Sequence, residues 1–137
     1  NHVAQAMGSQ HPNIAPYGDT FMCADKTAIV LAIGSDAQYV KMLQLLGAEA
    51  NSTLKKLSSN LLRVQQRKIL NEELAAYFAG VNRDDILEKF IAHNIPAGAI
   101  RSMDEVFENP AAIELIRSEV IDGVPTKRVS SIAFSIR

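Results

Sequence analysis

Two strand-sized runs rich in apolar residues come early in the chain and then give way to a helical period. Tyr17–Cys23 reads as one strand and Ala28–Ile33 as a second, and Ala24-Asp25-Lys26-Thr27 between them suits a hairpin. Ile29, Leu31 and Ile33 line one face of the second strand, and Ala28, Val30 and Ala32 the other. Two apolar faces predict a strand covered on both sides. Gly34-Ser35 ends the run. Ser35-Asp36-Ala37-Gln38 then fits a capping box, in which side chain and backbone at the helix start satisfy each other's hydrogen bonds. The helix carries Tyr39, Met42, Leu43, Leu45 and Leu46, and stops at Gly47, a residue suited to a left-handed cap.

Ala48–Ser59 holds room for a short helix around Leu54 and Leu57. A longer helix is predicted from Leu61 to Ala79, with Leu70, Leu74, Tyr77 and Phe78 on one face. Asn82 is placed to cap the next, whose apolar stripe is Ile86, Leu87, Phe90 and Ile91; Asp84 and Asp85 suit the positive end of its dipole. Pro96 breaks that period, so Ile95–Ile100 should be extended. Ser102-Met103-Asp104-Glu105 is a second capping box, and Asn109-Pro110 opens another short helix. Arg117–Asp122 and Thr126–Ile132 read as strands around Gly123-Val124-Pro125. The pattern predicts one α+β domain over residues 1–137: a small, mostly antiparallel sheet with several packed helices.

Composition narrows the partners. Of 137 residues, 47% are hydrophobic and 21% charged, and the net charge is −1 with both signs interspersed. Neither nucleic acid nor an anionic membrane is an expected partner of such a surface. No apolar run reaches the roughly 18 residues of a membrane span, and no signal-peptide layout is seen, so a cytoplasmic protein is expected. The single cysteine, Cys23, reads as a strand filler, and no cysteine–histidine grouping has zinc-ligand spacing; no metal is expected. The chain opens Asn1-His2-Val3 and reads as a piece of something longer.

Three blocks carry a family resemblance. The first is Gln10-His11-Pro12-Asn13-Ile14-Ala15-Pro16-Tyr17-Gly18, running through the hairpin into Gly34-Ser35-Asp36-Ala37-Gln38-Tyr39. The second is Asn60-Leu61-Leu62-Arg63-Val64-Gln65-Gln66-Arg67. The third is Ile95-Pro96-Ala97-Gly98-Ala99-Ile100, continuing through Glu105-Val106 to Asn109-Pro110. In this order and spacing they resemble the small-domain portion of family III (CaiB/BaiF-type) CoA-transferases.

The resemblance implies an enzyme that moves coenzyme A between carboxylic acids through an aspartyl-CoA thioester. The nucleophilic aspartate would lie upstream, in a large domain absent from this chain, so Asp19, Asp25 and Asp36 should not inherit its role. It implies acyl-CoA as substrate, no tightly bound cofactor, and two partners: the large domain of the same parent and a second copy in an interlocked homodimer. The small domain would cover the acyl-CoA site and support dimer assembly. A 2-methylacyl-CoA racemase or epimerase with the same small domain, or a non-catalytic interaction module, are the competing readings.

The resemblance implies substrate-binding candidates in the first block and just before it: Gly8, Gln10, His11 and Tyr17. His11 leads because its loop would border the active site; fixing that loop is its structural alternative. Tyr17 reads more readily as a strand aromatic. Arg63 and Arg67, four residues apart, are weaker candidates for a CoA phosphate, since such pairs more often serve salt bridges or domain contacts. Gly8 and Gly98 read as glycines needed for backbone geometry. Two departures from the family pattern stand out. Asp25-Lys26 replaces Asp-Gly in the hairpin, so a longer or differently shaped turn is expected, and Ala99 replaces the commoner proline.

Overall fold

A computed structural model describes residues 8–129. They fall into two compact units, one ending at Ile100 and the other starting at Arg101.

The first unit is built on the hairpin. Strand β1 (Tyr17–Met22) pairs antiparallel with β2 (Ala28–Ala32). Helices α1 (Asp36–Leu45), α2 (Ser52–Lys56), α3 (Asn60–Gln65), α4 (Arg67–Phe78) and α5 (Arg83–Ala92) follow, and β3 (Ala97–Ile100) returns antiparallel to β2, giving the order β1-β2-β3. Phe21, Ile29, Leu31 and Ile33 are buried with the apolar stripes of the helices. Phe78 of α4 stacks on Phe21 at 4.9 Å between ring centroids and meets Phe90 of α5 edge-on at 6.4 Å. Fully burying one such ring contributes roughly 1.5–3 kcal/mol, so this triplet ties both helices to the sheet.

Local signals hold where they are strongest. The Gln38 N–H donates to Ser35 Oγ at 3.2 Å while Gln38 Oε1 accepts from the Ser35 N–H at 3.1 Å, so α1 opens on its capping box. Gly47 follows it at φ +69°. Leu54 is fully buried in the short α2, and β3 confirms the extended reading after Pro96.

Three expectations change in this unit. The helix expected over Leu61–Ala79 is two helices, broken at Gln66, whose φ of −115° and ψ of 31° are not helical. No proline or glycine marks the break; the hydrogen bonds made from α3 and α4 account for it below. The second strand is covered on one face only: Ile29 and Leu31 are fully buried, whereas Ala28, Val30 and Ala32 are half-buried. On that outer face Met22 and Ile100 are exposed beside them. The hairpin turn is longer than a two-residue Asp-Gly turn, as expected: the Cys23 N–H donates to the Thr27 carbonyl at 2.8 Å across Ala24, Asp25 and Lys26, and Lys26 takes the left-handed conformation, φ 63°. Asp25 fixes the turn, its Oδ1 accepting from the Thr27 hydroxyl at 2.6 Å and its Oδ2 from the Arg83 N–H at 3.1 Å. Asn82 occupies the cap position of α5 without a side-chain bond to the helix backbone; its amide turns to Asp85 at 3.4 Å.

The second unit comprises α6 (Met103–Glu108), α7 (Pro110–Ile113) and a hairpin of β4 (Ile116–Ile121) and β5 (Val124–Val129). Ser102 and Glu105 form the second capping box, and Asn109 Oδ1 accepts from the Ala111 N–H at 2.9 Å to start α7. The hairpin turns on Asp122 and Gly123 alone, both at positive φ, the pair that a two-residue turn demands. Val124 and Pro125, expected in the turn, instead face Ile121 and Val120 in the ladder. The expected continuation to Ile132 lies outside the described residues. None of the described residues of this unit is buried, and Met103, Ile113, Val120 and Val124 are each more than half exposed. Among the described residues, no helix is long and apolar enough to cross a membrane.

Candidate functional site: a pinned loop with an open edge

The segment before β1 forms a closed loop. The His11 N–H donates to the Tyr17 carbonyl at 2.8 Å, and Ser9 Oγ donates to the Gly18 carbonyl at 2.8 Å, so the loop's ends run side by side. Gly18 has φ +75°, and a Cβ there would stand 1.8 Å from the Ser9 carbonyl oxygen. No side chain fits that gap; glycine is required. One extra residue in β1 between Tyr17 and Thr20 makes a bulge, which turns Tyr17 outward while Asp19 and Phe21 face in.

Side chains distant in sequence hold the middle of the loop. Asn60 grips it twice: its Oδ1 accepts from the Ala15 N–H at 3.0 Å and its Nδ2 donates to the Asn13 carbonyl at 2.8 Å. Arg63 is fully buried. Its Nε donates to the Ala15 carbonyl at 2.7 Å, Nη1 to the carbonyls of Leu57 and Ser58, and Nη2 to Asp36 Oδ1 at 2.6 Å. Its guanidinium also lies over the Tyr39 ring, 4.4 Å from the centroid. Arg67 Nη2 donates to the Ile14 carbonyl, and its Nε stands 3.7 Å from Asp19 Oδ1. Asp19, fully buried, accepts from the Tyr17 N–H at 2.9 Å and from Asn71 Nδ2 at 2.8 Å. The break at Gln66 belongs to this arrangement, since Asn60 and Arg63 of α3 and Arg67 and Asn71 of α4 all reach the same loop or its flank.

Arg63 is therefore no phosphate ligand. Four of its five N–H groups already donate to protein oxygens, and the side chain is fully buried, so it presents no surface to a dianion. Arg67 is likewise turned inward, its side chain 17% exposed. The three aspartates have structural duties: Asp19 braces the loop, Asp25 the hairpin turn, and Asp36 the Arg63 guanidinium. The Thr27 hydroxyl is the main cause that holds Asp25 below the usual carboxylate range. Burial pushes the Cys23 thiol up, which makes it a poor nucleophile.

His11 and Tyr17 come together on the loop's outer edge. Their rings meet edge-on, 5.6 Å between centroids; His11 is half-buried and Tyr17 exposed. His11 Nδ1 accepts from the Asn13 N–H at 3.1 Å. A neutral imidazole accepting there carries its proton on Nε2, which has no partner among the described residues. Gly8 and Gln10 lie on the exposed approach to this edge. Gly8 owes its place to a φ of +77°, with nothing near a would-be Cβ; Gly98, by contrast, sits in β3 with no left-handed φ, and a Cβ would make ordinary contact with Val30. Sequence reasoning placed Asn60, Arg63 and Arg67 in one motif and left out Asn71; nothing in their spacing announces that they serve the first motif.

The first two motif blocks thus share one structure, and comparison with known proteins gives the chain a family. Residues 1–134 match CoA-transferase family III. The chain belongs to that family. An acyl-CoA transferase of Fusarium pseudograminearum (strain CS3096) is 36% identical to this family III chain over 119 residues, which cover 87% of the chain and 25% of the relative. A succinate–glutarate CoA-transferase of Agrobacterium fabrum (strain C58) is 29% identical over 133 residues, covering 91% and 33%. The crystal structure of a CaiB/BaiF family protein from Brucella suis superposes with a TM-score of 0.82 at 32% identity, over 98% of this chain and 35% of that one. The chain spans between a quarter and about a third of the length of these relatives.

Proposed function

We propose that this chain is the small domain of an enzyme that transfers coenzyme A between carboxylic acids, and that its pinned loop covers the acyl-CoA site. The observation that carries this reading is a loop braced from behind by buried polar side chains while one polar edge, His11 with Tyr17, is left open. Such bracing has a use where a donor must hold its position against a reacting group. The chemistry asks for that. A carboxylate attacking a thioester carbonyl places negative charge on the carbonyl oxygen, and the site must be kept from water while it does so. His11, protonated at Nε2, offers one hydrogen bond to that oxygen; Tyr17 and the exposed backbone at Gly8 and Gln10 line the approach.

In this reading the nucleophilic aspartate belongs to a large domain outside residues 1–137, both units described here belong to the small domain, and a second copy completes an interlocked dimer. The coverage of a third or less of its relatives supports a larger parent. We place the work of the parent in the cytoplasm, where a buried free thiol such as Cys23 stays reduced.

The test is His11→Ala in the full-length parent, with steady-state rates and denaturant midpoints measured together. Losing a preorganised donor should lower turnover about 100-fold with a small change in midpoint. Unchanged turnover with a large midpoint loss would make His11 structural and remove the loop from the site.

A further inference from the structure

We propose that Asn60 is a positioning residue: by gripping the His11–Gly18 loop from α3 it fixes where the His11–Tyr17 edge stands, and so sets turnover without touching substrate. The inference rests on the reading that this edge borders the acyl-CoA.

Asn60 is distinguished by where its bonds go. Arg63 ties together the loop, the start of α1 and the α2–α3 connection, so it is a framework residue whose loss would disturb all three. Asn60 spends both ends of its amide on the loop alone: the acceptor on the Ala15 N–H, the donor on the Asn13 carbonyl. Those bonds are separated by 45 and 47 residues of chain, so they are tertiary links. The Asn13 bond also meets the loop two residues from His11. The Asn13 N–H donates to His11 Nδ1, while the Asn13 carbonyl accepts from Asn60. Asn13 is therefore the relay. Its peptide groups are oriented by Asn60 on one side and select the His11 tautomer on the other. Loosening Asn60 frees Asn13 to rotate, and His11 loses the bond that keeps its proton on Nε2.

The amide is needed in one orientation only. A carboxylate in its place keeps the acceptor for Ala15 and loses the donor for Asn13. Asn60→Asp should thus hold the loop at Ala15 and release it at Asn13, an intermediate state that a purely space-filling role would not produce.

The experiment uses the full-length parent and four variants: Asn60→Ala, Asn60→Asp, His11→Ala and Asn51→Ala. Asn51 is the control. It likewise makes two side-chain hydrogen bonds, to the Leu54 N–H and to Glu73, at the cap of α2 and away from the loop. Turnover number, KM, denaturant midpoint and amide exchange at Asn13 and Ala15 are read for each. Asn60→Ala should speed exchange at both amides and cut kcat about 10- to 100-fold, the scale of an ångström's misplacement. Asn60→Asp should slow exchange again at Ala15 and recover part of kcat. Asn51→Ala should lower the midpoint similarly and leave kcat alone. If His11→Ala cuts turnover but Asn60→Ala behaves like Asn51→Ala, the positioning role is wrong while the loop keeps its place at the site. If neither His11→Ala nor Asn60→Ala changes turnover, the site assignment fails, and the positioning role with it.

Discussion

The fully buried Arg63 shows why a charged residue is found in this interior. Moving a guanidinium out of water costs several kcal/mol, which only a complete set of partners offsets. It has that set in three backbone carbonyls, one carboxylate and the face of Tyr39. Removing it would strip the Ala15 and Leu57 carbonyls of their buried donor, at about 1–3 kcal/mol each, while the exposed Asp36 turns to water. Tyr39 registers the same environment. Burial is the main cause that pushes its hydroxyl up to about 12, with the neighbouring guanidinium opposing, and the hydroxyl donates to the Leu54 carbonyl at 3.0 Å. An unfolded tyrosine ionises near 10. Between these values the unfolded chain releases a proton that the folded chain keeps, so stability should fall as pH rises from about 10 to about 12. Chemical denaturation at stepped alkaline pH should show this fall, and Tyr39→Phe should flatten it. An unchanged slope in the variant would place the alkaline loss elsewhere.

Among the elements, the β1–β2 hairpin offers the cleanest test. Lys26 holds φ 63° in its turn, a conformation that costs an L-residue about 1–2 kcal/mol over glycine's freedom. Lys26→Gly should raise stability by about 1 kcal/mol, less than the full relief because glycine gains entropy in the unfolded chain. A denaturant midpoint that fell instead would mean the lysine stem contributes packing that outweighs the strain. Much of this level was legible in the sequence. Two strand-sized runs around Ala24–Thr27 marked the hairpin, two capping boxes marked α1 and α6, and Asn109-Pro110 marked α7, because each signal spans only a few neighbouring residues. The break at Gln66 was hidden. It arises from bonds between α3, α4 and a loop some fifty residues earlier, and no local propensity encodes such contacts. The outer face of β2 misled for a related reason: Ala28, Val30 and Ala32 are apolar, and composition cannot say whether their cover lies within this stretch of chain.

At the scale of the molecule, the family and the α+β fold were readable because three motifs kept their order and spacing. Their interdependence was not: the Asn60–Arg67 block exists in this fold to brace the His11–Gly18 block, with Asp36 between them. The candidate site was legible as residues and invisible as geometry. His11 and Tyr17 were named from the motif, whereas the bulge that turns Tyr17 outward and the Asn13 bond that sets the His11 tautomer emerge only in three dimensions. The outer sheet face with Met22 and Ile100, and a second unit with no buried residue among those described, fit a chain that works as part of something larger. The central claim is that these residues shape the acyl-CoA site while the covalent chemistry happens elsewhere in the parent. Its most direct test is to incubate the full-length enzyme with an acyl-CoA, convert any aspartyl thioester to its hydroxamate with hydroxylamine, and locate the modified residue by mass spectrometry. The account predicts a single modified aspartate outside residues 1–137. A hydroxamate on Asp19, Asp25, Asp36 or any other carboxylate of this chain would contradict it.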